Sequence, residues 1–101
     1  MQEVENLNTW STSWIGPAYF LENGWAYHAN LGWIYVQPDQ FNAAWIWTKK
    51  WNWLWMNDQF WDGAEGNLFS RNLDQWIFIR SDKTNNRNLV YNYQVGKWYP
   101  F

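Results

Sequence analysis

Apolar residues in this chain fall in short alternating runs. In Trp33-Ile34-Tyr35-Val36, Trp53-Leu54-Trp55-Met56 and Trp76-Ile77-Phe78-Ile79, ring side chains alternate with Ile, Val, Leu or Met. A period of two is the signature of a strand, because successive side chains leave opposite faces of the backbone. Trp and Tyr also favour strands, and no helix-spaced apolar stripe is evident. The segments between the runs carry Asn, Gly, Asp and Lys, the residues of tight turns. Asn23-Gly24, Ala29 to Gly32 and Val95-Gly96-Lys97 offer the positive φ that hairpin turns need. Pro38 falls in a connector, and Pro17 marks an edge or a bulge. Polar linkers are expected over 37–42, 57–66 and 80–88. Because both faces of these strands are apolar, both are expected to be covered.

The runs repeat. Trp14, Trp33, Trp53, Trp76 and Trp98 each open an apolar run after a turn, with 19 to 23 residues between successive copies. Gly24–Val36 aligns with Ala44–Met56 position for position, and Asn67–Ile79 and Asn88–Tyr99 follow the same plan. The shared grammar is an aromatic residue, then an apolar residue four positions on (Leu31, Trp51, Leu73, Val95), then a turn residue or two, then Trp. Each copy reads as a β-hairpin. The expected fold is all-β, a single domain over 1–101 of about four hairpins at 10–36, 41–56, 60–79 and 88–101. Stacked repeats and one meandering sheet both satisfy this pattern. The Trp after each turn, namely Trp33, Trp53 and Trp76, is expected to form a Trp-rich core.

The run Gly24-Trp25 to Leu31-Gly32-Trp33-Ile34-Tyr35-Val36 resembles the aromatic repeat modules near the C-termini of secreted and surface proteins of environmental bacteria. More distantly, the period and the Trp-Ile-Tyr grammar are similar to choline-binding and glucan-binding repeats of cell-wall-attached proteins. The likeness covers about Trp10 to Phe101 and rests on composition and spacing. It implies stacked hairpins whose aromatic residues cage choline or contact glucan, in an extracellular or cell-surface protein. The Gly-x-Met-x-Thr-Gly-Trp close of a choline repeat is absent here.

Composition narrows the chemistry. The chain has 101 residues, 7 Lys and Arg against 9 Asp and Glu, and a net charge of −2. That balance lacks the basic footprint of a nucleic-acid binder. No disulfide, thiol catalysis or cysteine zinc site is available, because Cys is absent. The polar, acidic start Met1–Asn8 has no signal-peptide pattern, and no apolar run approaches the ~20 residues of a membrane helix.

Candidate reactive groups are few. His28, the single histidine, reads as a base or ligand only with partners the sequence does not supply; its plainer role is packing or hydrogen bonding. Asp58, Asp62 and Glu65 share a loop with Gly63, Gly66 and Asn67, but the spacing is not that of an EF-hand. Lys49-Lys50 and the charges from Arg80 to Arg87 read as solvated turns. No phosphate loop, nucleophile elbow or metalloprotease helix is present. The expectation is a non-enzyme without cofactor or metal.

The 12 Trp, 6 Tyr and 6 Phe, 24% of the chain, exceed what so small an interior obviously requires. Exposed rings stack on sugar faces or attract quaternary ammonium groups. Trp25, Tyr27, Trp45, Trp47 and Trp51, next to the turns, are the expected ligand-binding residues. The expected function is attachment to carbohydrate or cell-envelope polymer. The rival is a structural or self-assembling module, a homo-oligomer or a partner-protein contact, since exposed aromatic patches serve that too.

Overall fold

A computed structural model describes Trp10, Ser11 and Ser13–Phe101; the polar start Met1–Asn8 lies outside the described residues. Ten strands follow in chain order: β1 (Trp10–Ser11), β2 (Ala18–Phe20), β3 (Trp25–His28), β4 (Gly32–Pro38) and β5 (Ala43–Thr48) form the first half. The second half is β6 (Asn52–Asn57), β7 (Gly66–Ser70), β8 (Gln75–Asp82), β9 (Arg87–Asn92) and β10 (Lys97–Pro100). Each strand pairs antiparallel with the next, so the spatial order is the sequence order and the sheet is one open meander. The all-β hairpin expectation holds, in its meandering form. Pro38 is not in a connector but ends β4, paired with Ala44, and β8 runs through Arg80 to Asp82, which shortens the third linker.

One structural rule recurs at every second turn. His28 Nδ1, Thr48 Oγ1, Ser70 Oγ and Asn92 Oδ1 each accept the backbone N–H three residues on, at Leu31, Trp51, Leu73 and Val95. The next residue, Gly32, Asn52, Asp74 or Gly96, has positive φ and swings the chain back into the returning strand. Asn and Asp tolerate this left-handed geometry better than other side chains do, which is why non-glycine residues serve at two copies. The repeat seen in sequence is this capped turn. It brings the aromatic residue before the cap opposite the Trp after the turn, as Tyr27↔Trp33, Trp47↔Trp53, Phe69↔Trp76 and Tyr91↔Trp98.

Alternation then sorts the two faces. The face holding Ala26, Ile34, Ile46, Leu54, Leu68, Ile77, Ile79 and Val90 is fully buried and forms one cluster. The face holding the paired rings is the outer one. This corrects the expectation of a Trp-rich core: Trp33 is 57% exposed and Trp76 39% exposed, and Trp53 is half-buried. It also corrects the expectation that both faces are covered. Among the described residues, Trp61 is the one tryptophan in the buried core.

A single sheet buries a whole face only by curling over itself. Ten flat strands would span about 43 Å at ~4.8 Å each with almost no depth, whereas the Cα extents are 39 × 30 × 23 Å. Contacts from turns to strands far away in the sheet order confirm the roll. Asn30, in the β3–β4 turn, bonds Ser81 of β8 and accepts from Asn88 of β9, and Lys50 Nζ donates to Pro100 O at 3.0 Å. On the concave side the side chains converge, and Ala, Ile, Leu, Val, Ser and Thr fill most of the buried positions there. The bulky rings take the convex side, where neighbouring strands splay. Side-chain size decides which apolar face becomes the core.

Candidate functional site

The outer face is a tape of rings in four clusters, held mostly edge to face. Trp10 meets Tyr19 and Tyr27 at 6.1 and 6.5 Å, and Tyr27 meets Trp33 at 5.4 Å. Trp25 meets Tyr35 at 5.4 Å and Trp47 at 5.9 Å, and Tyr35 meets Trp53 at 6.4 Å. Farther along, Trp76 is surrounded by Trp55, Phe60 and Phe69 at 6.3, 5.6 and 5.6 Å. Tyr91 and Phe78 close on Trp98, and the Arg80 guanidinium lies 4.9 Å from the centre of the Trp98 ring. Edge-to-face geometry directs the positive edge of one ring at the negative face of the next, worth about 0.5–1.5 kcal/mol per pair. It fixes each ring while leaving part of its surface open. A ring so fixed loses little freedom when a ligand lands on it.

Four of the five ring positions expected from the sequence, Trp25, Tyr27, Trp45 and Trp47, lie on this face. Tyr27 is the most open, at 43% exposed, while Trp25, Trp45 and Trp47 are half-buried by their neighbours. Trp51 does not join them. It packs against the aliphatic cluster, and its Nε1 is buried without a hydrogen-bond partner. Trp10, Trp33 and Phe60 are more exposed than Tyr27, and Trp98 and Trp76 comparably so; turn proximity did not single these five out as ligand contacts. The signal was present in the alternation, since Trp33 and Trp76 share a face with Tyr35 and Phe78.

His28 sits on the other face and has a structural task. Ile15 O receives both Trp61 Nε1 and His28 Nε2 at 2.7 Å, while His28 Nδ1 accepts from Asn30 N and Leu31 N at 3.0 and 3.2 Å. Two donors facing Nδ1 assign the neutral ring with its proton on Nε2. Burial lowers the His28 pKa below the ordinary 6.5, outweighing the Ile15 hydrogen bond, which raises it. Below pH ~6.5 the unfolded chain therefore takes up a proton that the folded chain refuses. Folding stability should be level above that pH and fall as pH drops toward the folded-state value. Urea unfolding at about pH 7.5 and pH 5.5 checks this; His28→Asn should flatten the difference.

Asp62 is also committed to its own loop. Its Oδ1 accepts Ala64 N and Glu65 N at 2.9 and 2.7 Å, and backbone hydrogen bonding in this loop lowers its pKa. Glu65 Oε2 accepts Ser81 N at 3.1 Å. Among the described residues, no three His, Asp or Glu side chains gather to hold a metal ion.

Two of the grooves beside the tape differ in charge. One, of ≈ 500 Å³, is lined by Tyr27, Trp33, Lys49, Lys50, Arg87 and Asn88 among others. The other, of ≈ 300 Å³ at the β6–β7 loop, carries Asp58, Asp62 and Glu65 beside Phe60 and Asn67. No helix long and apolar enough to cross a membrane is present among the described residues. Comparison with family models, with curated proteins and with solved structures returns no match for this chain.

Proposed function

We propose that this chain is a non-catalytic attachment module that contacts carbohydrate or cell-envelope polymer through its outer aromatic face. One observation carries the reading: the aliphatic face already supplies a closed core, yet rings as large as Trp33 and Trp76 are kept in solvent on the other face. Solvent-facing indoles add little to folding, and they offer flat, polarisable faces to the C–H faces of sugars. The edge-to-face tape runs across successive hairpins, which suits an extended ligand better than a small one. On this reading the chain is the attachment unit of a larger secreted or surface protein, as the resemblance to bacterial aromatic repeats implies.

Affinity electrophoresis through gels containing glucans, wall polymers or algal and plant glycans tests it, with Trp emission as a second readout. Retention by at least one polymer is expected, and Trp33→Ala, at a ring 57% exposed, should weaken that retention while lowering the urea midpoint far less than a core truncation does. Free migration through every polymer would reject the proposal.

The second reading is self-assembly, and β10 is the observation that favours it. All four of its residues are exposed and one of its edges is unpaired. Lys97 and Pro100 blunt that edge, since a charge and a missing N–H both disfavour strand addition. Sedimentation over a concentration range separates the readings: a monomer that binds polymer supports attachment, and oligomers without polymer binding support assembly.

A further inference from the structure

Charge is distributed unevenly over this acidic chain. Four of its seven Lys and Arg (Lys49, Lys50, Lys83 and Arg87) line the ≈ 500 Å³ groove or a further groove of ≈ 210 Å³ that adjoins it at the β8–β9 turn. Asp82 is the one acidic side chain lining either, and it is already paired with Arg87 Nε at 3.3 Å. The carboxylate-lined groove at the β6–β7 loop has no Lys or Arg in its lining. A net charge of −2 makes this local excess of cations a departure from the chain average.

The larger groove is also the place where the aromatic face and the cations meet. Trp33 and Tyr27 form one wall, 5.4 Å apart and edge to face, with Trp33 57% exposed. Lys49 and Lys50 lie on the adjoining turn, and Lys50 Nζ is held in position by Pro100 O at 3.0 Å. Arg87 uses Nε on Asp82, which orients its guanidinium. The roll of the sheet creates this arrangement, because the β5–β6 turn and the start of β9 are distant in the sheet order.

We infer that this groove binds an acidic polysaccharide, with uronate or sulfate groups on Lys49, Lys50 and Arg87 and a sugar ring stacked on Trp33. The inference deepens the proposed attachment function and rests on it. Ammonium and guanidinium groups make their stronger hydrogen bonds to anionic oxygens, and the indole face supplies the contact a free anion does not use. An acidic glycan satisfies both walls at once. A neutral glycan leaves the cations without counter-charge.

The test is retention of the full chain by polygalacturonate, alginate and a sulfated galactan against neutral glucan, mannan and galactan, with single-stranded oligo-dT as a further probe. Acidic polymers should bind at least about tenfold more tightly than their neutral counterparts, and the preference should fade between about 50 and 500 mM NaCl as charges are screened. The double substitution Lys49→Gln/Lys50→Gln should remove that preference, and Arg71→Gln, an exposed cation outside the groove, should not. Equal binding of acidic and neutral polymers, or an unaffected double variant, overturns the inference while the attachment reading stands. Retention of no polymer overturns both. Binding of oligo-dT as tight as that of the acidic glycans assigns the groove to nucleic acid and overturns it as well.

Discussion

Leu54→Ala is expected to cost about 2–5 kcal/mol of folding stability, the range for a buried aliphatic side chain truncated in a core that cannot fully collapse. Leu54 has no exposed surface and belongs to the central aliphatic cluster. A ring on the outer face behaves oppositely. Trp33→Ala removes a far larger side chain, but one that is 57% exposed and held mainly by its edge contact with Tyr27. Its expected cost is about 1–2 kcal/mol, because more than half of the ring is already in water. Trp76→Ala, at a ring held by three neighbours, should cost more than Trp33→Ala, and Ile77→Ala should match Leu54→Ala. Urea denaturation of the four variants provides the comparison. Against a total stability of about 5–15 kcal/mol, the aliphatic losses should be plain in the midpoint.

Gly16→Ala is expected to be comparably severe, for a different reason. Gly16 lies at φ +116, and a Cβ there would stand 2.2 Å from Gly63 O and 2.6 Å from His28 Nε2. The contact joins the β1–β2 segment to the β6–β7 loop, beside the Ile15 carbonyl that Trp61 and His28 share. Backbone faces backbone, so relief requires the two segments to part. A loss of about 3–5 kcal/mol is expected from overpacking and backbone strain together. Gly32→Ala is the control: its φ is +77 but nothing lies within 4 Å of the added atom. It should cost only the left-handed penalty, about 1–2 kcal/mol.

The hairpin plan was legible because it is local. Alternation in Trp53-Leu54-Trp55-Met56 and turn chemistry at Gly32 and Gly96 act within a few residues, and both are visible in sequence order. The choice of core face was not local. Trp33 and Ile34 are both apolar, and hydrophobicity alone ranks the indole as the larger contribution to burial. What decides between them is the curvature of a ten-stranded sheet, which arises from all the strands together. Trp51 was misplaced for a related reason: its turn position suggested exposure, but the roll lays that turn over the aliphatic cluster. The groove between Trp33, Lys50 and Arg87 was equally hidden, since it joins residues that lie 17, 37 and 54 positions apart in the chain. His28 could be placed by its plainer reading, as a hydrogen-bonding strand residue, although its shared carbonyl with Trp61 needs the folded chain.

Solvent contact of individual indoles tests the central claim, that the aliphatic face is the core and the aromatic face meets solvent. Fluorine NMR of protein labelled with 5-fluorotryptophan, assigned by single Trp→Phe substitutions, resolves the rings one by one. Adding a soluble paramagnetic relaxation agent should broaden the signals of Trp33, Trp76 and Trp98 strongly and spare that of Trp61. Protection of Trp33 and Trp76 to the level of Trp61 would place the rings inside and contradict the account.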